Sequence, residues 1–129
     1  MTNVDLVQEL FAAWNAHDVG RAATCIAESC NGGGHEGFRR ELTAFLAAFP
    51  DMTVTIEDIF GGADKVATRT IMRGTHRSAM FGIAPTGRTV VMKANHIFRC
   101  EDGRIVLRHG QMDRLEVMMQ LGMKLVPAE

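Results

Sequence analysis

The sequence has no tyrosine, one tryptophan, three prolines and three cysteines in 129 residues. Each scarcity excludes something. Cys25, Cys30 and Cys100 are odd in number and fit no metal-ligand spacing, so they build no disulfide framework and predict a reduced, intracellular protein. Neither sign of charge is in excess, with 14 basic residues against 15 acidic ones. That balance argues against nucleic acid or an anionic membrane surface as the main partner. No apolar run approaches the roughly 18 residues that span a bilayer. The opening "MTNVDLVQEL" lacks the basic, apolar and small-residue layout of a secretory leader, so a cytoplasmic protein is expected. No glycine-rich loop is clearly led by a strand into a helix, and no histidine pair has HxH or HxxxH spacing; no cofactor and no metal are expected.

What is present fits one domain, residues 1–129. Hydrophobic residues make up 47% and charged residues 22%, the balance of a globular chain with a real core. The nine methionines are core filler or the lining of a plastic apolar pocket.

The first half reads as helical. Thr2 and Asp5 form a capping box, and Val4, Leu6, Val7, Leu10, Phe11 and Trp14 recur at helical spacing. His17 sits at that helix's end, and Asp18 can cap "GRAATCIAES". "CNGGGHEG" reads as a loop, since successive glycines hold a helix poorly. A third helix follows with Phe38, Leu42, Phe45, Leu46 and Phe49 on one stripe, stopped by Pro50. The second half changes period. "MTVTIEDIF", "KVATRTIMRGTH", "TVVMKANHIFRC" and "RIVLRHGQMD" alternate and are rich in β-branched residues. "GGAD" and "EDG" supply turns, "GIAPTGR" is a longer connection, and "RLEVMMQLG" is a closing helix with Gly122 as C-cap. Helices followed by an antiparallel meander make an α+β domain with helices on one face of a curved sheet, and the cavity between them is the default ligand site.

Alternation predicts which side chains face that cavity. Arg69, Arg73, Lys93 and Arg99 should face water, leaving Val66, Thr68, Thr70, Met72 and His76, and Met92, Ala94, His96 and Phe98, facing in. Counting from Ile105 puts Leu107, His109, Gln111 and Asp113 inward and Arg108 outward, unless a bulge intervenes. The last strand then carries a polar end just before a helix.

The segments "FRRELTAFLAAFPDMTVTIEDIF", "GTH", "GIAPTGR", "HIFRCEDGRIV" and "MDRLEVMMQLG", with "LFAAWNAHD" before them, resemble the SnoaL-like polyketide cyclases, or ester cyclases, in order and spacing. The resemblance implies a nuclear-transport-factor-2-like (cystatin-like) cone, a strongly curved antiparallel sheet wrapped around helices with an internal pocket. It implies a homodimer, no cofactor, and intramolecular aldol closure of an apolar keto substrate by an Asp at the end of the last strand, the position of Asp113. Two departures stand out. The segment between the second and third helices is compressed to "ESCNGGGHEGF", and Met112 and His109 stand where the family often has tryptophan. The same fold also hosts hydrolases, isomerases and non-catalytic binders.

Aldol closure needs a base beside a carbonyl carbon and a donor to the oxygen that becomes hydroxyl. Asp113, His96 and His109 are the catalytic candidates. Asp113 is equally suited to cap the last helix, and the histidines to a hydrogen-bonded core. Gln111, Trp14, Phe11, Thr70, Met72 and Phe98 are expected to contact substrate, and so are His76 and His35, which could instead be surface and helix-cap residues. His96, His109 and Asp113 are also the one trio that could meet around a metal.

Overall fold

Thr2 opens the first helix. Its hydroxyl accepts from the Asp5 N–H at 3.1 Å while the Asp5 carboxylate accepts from the Thr2 N–H at 2.8 Å, which satisfies two otherwise orphaned donors. The computed structural model describes residues 1–129. Helix α1 spans Asn3–Asn15, α2 Val19–Ala23 and α3 Gly34–Ala48; strands β1 Thr53–Gly62, β2 Lys65–Thr75, β3 Thr89–Glu101 and β4 Arg104–Met112 follow, and α4 Arg114–Gln120 closes the chain. The sheet is an antiparallel meander in the order β1-β2-β3-β4, curved but not closed. No helix is long and apolar enough to cross a membrane.

Asp18 caps α2 through the Arg21 N–H. His17 ends α1 with a φ of 56° and bonds the Met52 carbonyl at 2.8 Å. The β3–β4 turn has positive φ at both Asp102 and Gly103, the geometry whose twist matches a two-residue hairpin. Gly122, with a φ of 95°, follows the last turn of α4 as expected.

One boundary differs. Helix α3 begins at Gly34, inside the segment read as loop. The glycines there permit close approach: a Cβ on Gly37 would lie 2.0 Å from the Gly32 carbonyl oxygen, and one on Gly34 2.2 Å from that of Glu28.

The helices cover the concave face. Leu6, Val7, Leu10, Phe11 and Trp14 of α1 and Phe38 and Leu42 of α3 meet Val54, Val66, Met72, Met92, Phe98 and Ile105 of the sheet in one buried core. Three amide side chains finish the open strand edges. Asn15 bonds the backbone N–H and C=O of Val54, Asn31 those of Arg108, and Gln120 those of Val91, at 2.6–2.9 Å. Each acts as a one-residue strand partner where the ladder runs out.

The ladder also has two bulges. Between Ile56 and Asp58 the register with β2 shifts, and between Arg99 and Cys100 that with β4 shifts, because Leu107 pairs Arg99 while Ile105 pairs Cys100. The extra residue Val106 reverses every side chain beyond it. Arg108, Gly110 and Met112 therefore point to the concave side, opposite the inward-facing Phe98, His96 and Ala94. The expected phase for the end of β4, with Arg108 out and His109, Gln111 and Asp113 in, is corrected by this one residue, although Gln111, paired with Asn95 on the outer side, still borders the cavity.

Candidate functional site

A cavity of about 220 Å³ lies between α1, α3 and the concave face of the sheet. Helix α1 contributes Leu10, Phe11 and Trp14, and α3 contributes Phe38, Glu41 and Phe45. The sheet contributes Met72, Ala94, His96, Phe98, Arg108, Gly110, Gln111 and Met112, while Phe81 of the β2–β3 connection and Arg114 of α4 complete the wall. The lining is mostly apolar, with a short polar series of Glu41, His96, Arg108, Gln111 and Arg114.

His96 is the central titratable group. Its ring stacks on Phe98 with centroids 5.5 Å apart and planes 11° apart, and Phe11 tilts against it at 6.2 Å. Nδ1 is buried without a hydrogen-bond partner. The opposing residue is Gly110, over which the ring lies: a Cβ there would be 2.5 Å from His96 Cδ2 and 2.8 Å from Nε2. Burial first, then the Arg108 charge, holds the imidazole below its ordinary pKa, against a smaller opposing pull from Glu41. The ring is therefore neutral at neutral pH.

Arg108 is the cation of the interior. Its guanidinium sits 5.1 Å above the Phe38 ring and pairs with Glu41 at 2.5 Å, while its Nε is buried without an acceptor. The compressed loop is built around it. Asn31 grips its backbone, and a Cβ on Gly32, whose φ is 79°, would come within 2.7 Å of its Nη2. At the mouth, Arg114 lies 5.2 Å above the Phe81 ring.

Of the residues expected to meet substrate, Phe11, Trp14, Met72, Phe98, His96 and Gln111 line this cavity. Thr70 is buried but off its wall, its hydroxyl donating to the Ala94 carbonyl at 3.4 Å. His76 is neither surface nor cavity wall. It is fully buried against Phe49, and its Nδ1 accepts from the Thr86 N–H at 3.2 Å, which pins the connection 77–88. His35 lies in the first turn of α3 and does not reach the cavity. His109 pairs with Ile97 on the outer face and is exposed, so the Val106 bulge separates it from His96. The same reversal divides the His96–His109–Asp113 trio between two faces. Asp113 caps α4 by accepting from the Glu116 N–H at 3.1 Å, and it borders a more polar depression with Lys93, Asn95 and Arg69. In sequence it lies between the cavity residues Met112 and Arg114, but it does not line this cavity.

Sequence reasoning missed Arg108, Glu41, Gly110, Phe81 and Arg114. One signal was available. Counting back from the apolar Met112, rather than forward from Ile105, places Gly110 and Arg108 on the inner face.

The architecture and cavity define a class, a small α+β cone with a mostly apolar interior pocket. Within that class the chain belongs to the SnoaL-like polyketide cyclase family, whose model matches residues 4–121. It is similar to TsrD from Streptomyces laurentii, at 26% identity over 92% of each chain with a TM-score of 0.85. It is similar to IdmH, a candidate polyketide cyclase from Streptomyces antibioticus, at 32% identity over 95% of this chain and 100% of that one, with a TM-score of 0.80. AclR from Streptomyces galilaeus, a candidate hydroxylase, shares the fold at 24% identity over 92% and 93% of the two chains, with a TM-score of 0.81. No curated protein sequence matches the chain.

Proposed function

We propose that this family member is a cofactor-free enzyme that closes a small apolar keto substrate by intramolecular aldol chemistry, with His96 as the acid/base and Arg108 as the oxyanion partner. The observation that carries the reading is an imidazole, held below its ordinary pKa by burial, that lines the same mostly apolar cavity as a fixed guanidinium. His96 takes the proton from the carbon next to one carbonyl. Arg108, its net charge offset by Glu41, stabilises the enolate oxygen by hydrogen bonding. The enolate carbon attacks the second carbonyl, and the protonated His96 returns its proton to the new alkoxide, so no redox partner is needed. Glu41 holds Arg108 in place. Three buried, unpaired cysteines accord with action in the reducing cytoplasm. The outer sheet face, with Ile97 and Phe60 exposed, is the proposed homodimer surface.

The resemblance supports a second reading, in which Asp113 is the acid/base. Its place in the chain between two lining residues favours it; its engagement as an N-cap and its exposure count against it. A model substrate separates the two: an aryl δ-diketone whose cyclic aldol product loses water to give a conjugated arylcyclohexenone, followed by absorbance. His96→Gln is expected to lose on the order of 10²–10⁴ in turnover while Asp113→Asn keeps it. The converse result transfers the role to Asp113. Binding without turnover by the wild-type protein leaves a small-molecule binder.

A further inference from the structure

The cavity's charges do not cancel. Its lining holds three formally charged side chains, Glu41, Arg108 and Arg114. Glu41 and Arg108 are spent on each other. Arg114 forms no ion pair and no hydrogen bond, and its guanidinium rests on the Phe81 ring at the mouth. The carboxylates nearest to it along the chain are turned to other partners: Asp113 accepts from the Glu116 N–H, and Glu116 pairs with Lys93. Phe81 is itself held with a φ of 55°, a left-handed backbone that an aromatic residue adopts only where its surroundings impose it. The mouth thus presents one uncompensated positive charge, braced by an aromatic face, above a mostly apolar interior.

We propose that the cavity selects an apolar monoanion, a keto acid whose carboxylate seats on Arg114 beside Phe81 while its carbonyl-bearing body reaches Arg108 and His96. This rests on the reading above for the inner groups, and it adds the charge and orientation of the substrate. A guanidinium offers a carboxylate two parallel N–H donors, and an apolar wall strengthens that contact by limiting competing water. Because Arg108 is already neutralised by Glu41, the free charge at the mouth is the one left for the ligand.

Trp14 lines the cavity and is the only tryptophan in the chain, so its fluorescence reports occupancy directly. The probes are octanoate and octanamide, which share a chain and differ in charge. Octanoate is expected to bind on the order of tenfold more tightly than octanamide at low salt, with the gap narrowing as ionic strength rises. Arg114→Gln is expected to bring the ratio near one by weakening octanoate alone. Arg73→Gln, on the outward face of β2, is expected to keep it. Equal affinities in the wild-type protein, a preference that survives Arg114→Gln, a preference lost only in Arg108→Gln, or no Trp14 response to either probe would each overturn the proposal. The binding assay needs no turnover. A carboxylate preference without diketone closure therefore rejects the reaction and keeps this inference, and closure without the preference does the reverse.

Discussion

Gly110→Ala tests the site through a residue that carries no chemistry of its own. The added Cβ would lie 2.5 Å from His96 Cδ2 and 2.8 Å from Nε2. Carbon atoms in good contact sit about 3.5–4.0 Å apart, so the ring must move by roughly 1 Å. It has little room to do so, with Phe98 stacked on it and Phe11 tilted against it. For folding, overpacking costs about 1–3 kcal/mol. Replacing a strand glycine by alanine returns about 0.5–1 kcal/mol. The net loss is about 0–2.5 kcal/mol, a fall in Tm of at most roughly 10 °C. For chemistry, a shift of about 1 Å in a reacting base costs on the order of 10²-fold. The variant should therefore fold and lose rate far out of proportion to its stability.

The assay is thermal melting together with single-turnover closure of the aryl δ-diketone. The decisive comparison adds His96→Gln. If Gly110 acts through the His96 ring, Gly110→Ala lowers the rate in the wild-type background and adds nothing when His96 is already Gln. A folded Gly110→Ala protein with wild-type turnover would refute the reasoning, because the site would then tolerate a displaced His96.

Four further outcomes are expected. The folded pKa of His96 lies below its ordinary 6.5, so its contribution to stability is full above about pH 6.5 and is lost as pH falls through the folded value; the acid limb of kcat/KM should accordingly have its midpoint below 6.5, and Arg108→Gln should raise it, whereas a wild-type midpoint at or above 6.5 would reject the assignment. Asp113→Asn keeps the cap acceptor, so it should cost at most about 1 kcal/mol and change turnover only a few-fold; a loss on the order of 10²–10⁴ would make Asp113 the acid/base. Asn31→Ala removes both side-chain bonds to the Arg108 backbone and should cost about 1–3 kcal/mol, with faster amide exchange at Arg108; unchanged exchange would show that the strand edge needs no such partner. Sedimentation equilibrium at micromolar concentration should give a dimer that Ile97→Lys dissociates, since Ile97 is 51% and Phe60 68% exposed on the outer face, and a lone 14.2 kDa species in the wild-type protein would contradict it.

Much of the fold was legible because it is written in local chemistry. The Thr2–Asp5 box, the Asp18 cap, the Asp102–Gly103 turn and the stop at Pro50 each act within a few residues, and each marks the boundary its side chains dictate. The glycine cluster at 32–37 shows the limit of that logic. Read locally, successive glycines mean flexibility and a loop. In the folded chain α3 starts at Gly34, whose φ is 66°, and runs through Gly37, and glycine is required at both because the backbone of Glu28 and Gly32 passes too close for any side chain. Nothing within the segment announces those neighbours. The roles of Asn15, Asn31 and Gln120 were hidden for the same reason: each completes a strand distant in sequence, and an amide on a helix or loop carries no mark of the edge it will meet.

The site turned on a single residue. The stretch Ile105-Val106-Leu107 offers three apolar side chains in a row, and an alternating count carried through it can leave in either phase. Choosing Ile105 as the anchor sends His109, Gln111 and Asp113 inward; choosing Met112 sends Arg108 and Gly110. The bulge at Val106 selects the second phase. The physical difference between the two is considerable. In the first, the cavity would hold a carboxylate and two histidines, a constellation suited to proton transfer or metal binding. In the second, it holds one histidine, the guanidiniums of Arg108 and Arg114 and the carboxylate of Glu41, while Asp113 caps α4 off the cavity wall and His109 lies on the far face. Inward from β3 the reading was secure, because Lys93 and Arg99 fix its phase from both ends and leave His96 only one side to face. Charged residues anchor a strand's phase more firmly than apolar ones do, since burying an unpaired charge costs several kcal/mol whereas exposing a leucine costs about two. β4 broke that guide, because its interior charge, Arg108, is paired with Glu41 from a helix 67 residues away in sequence.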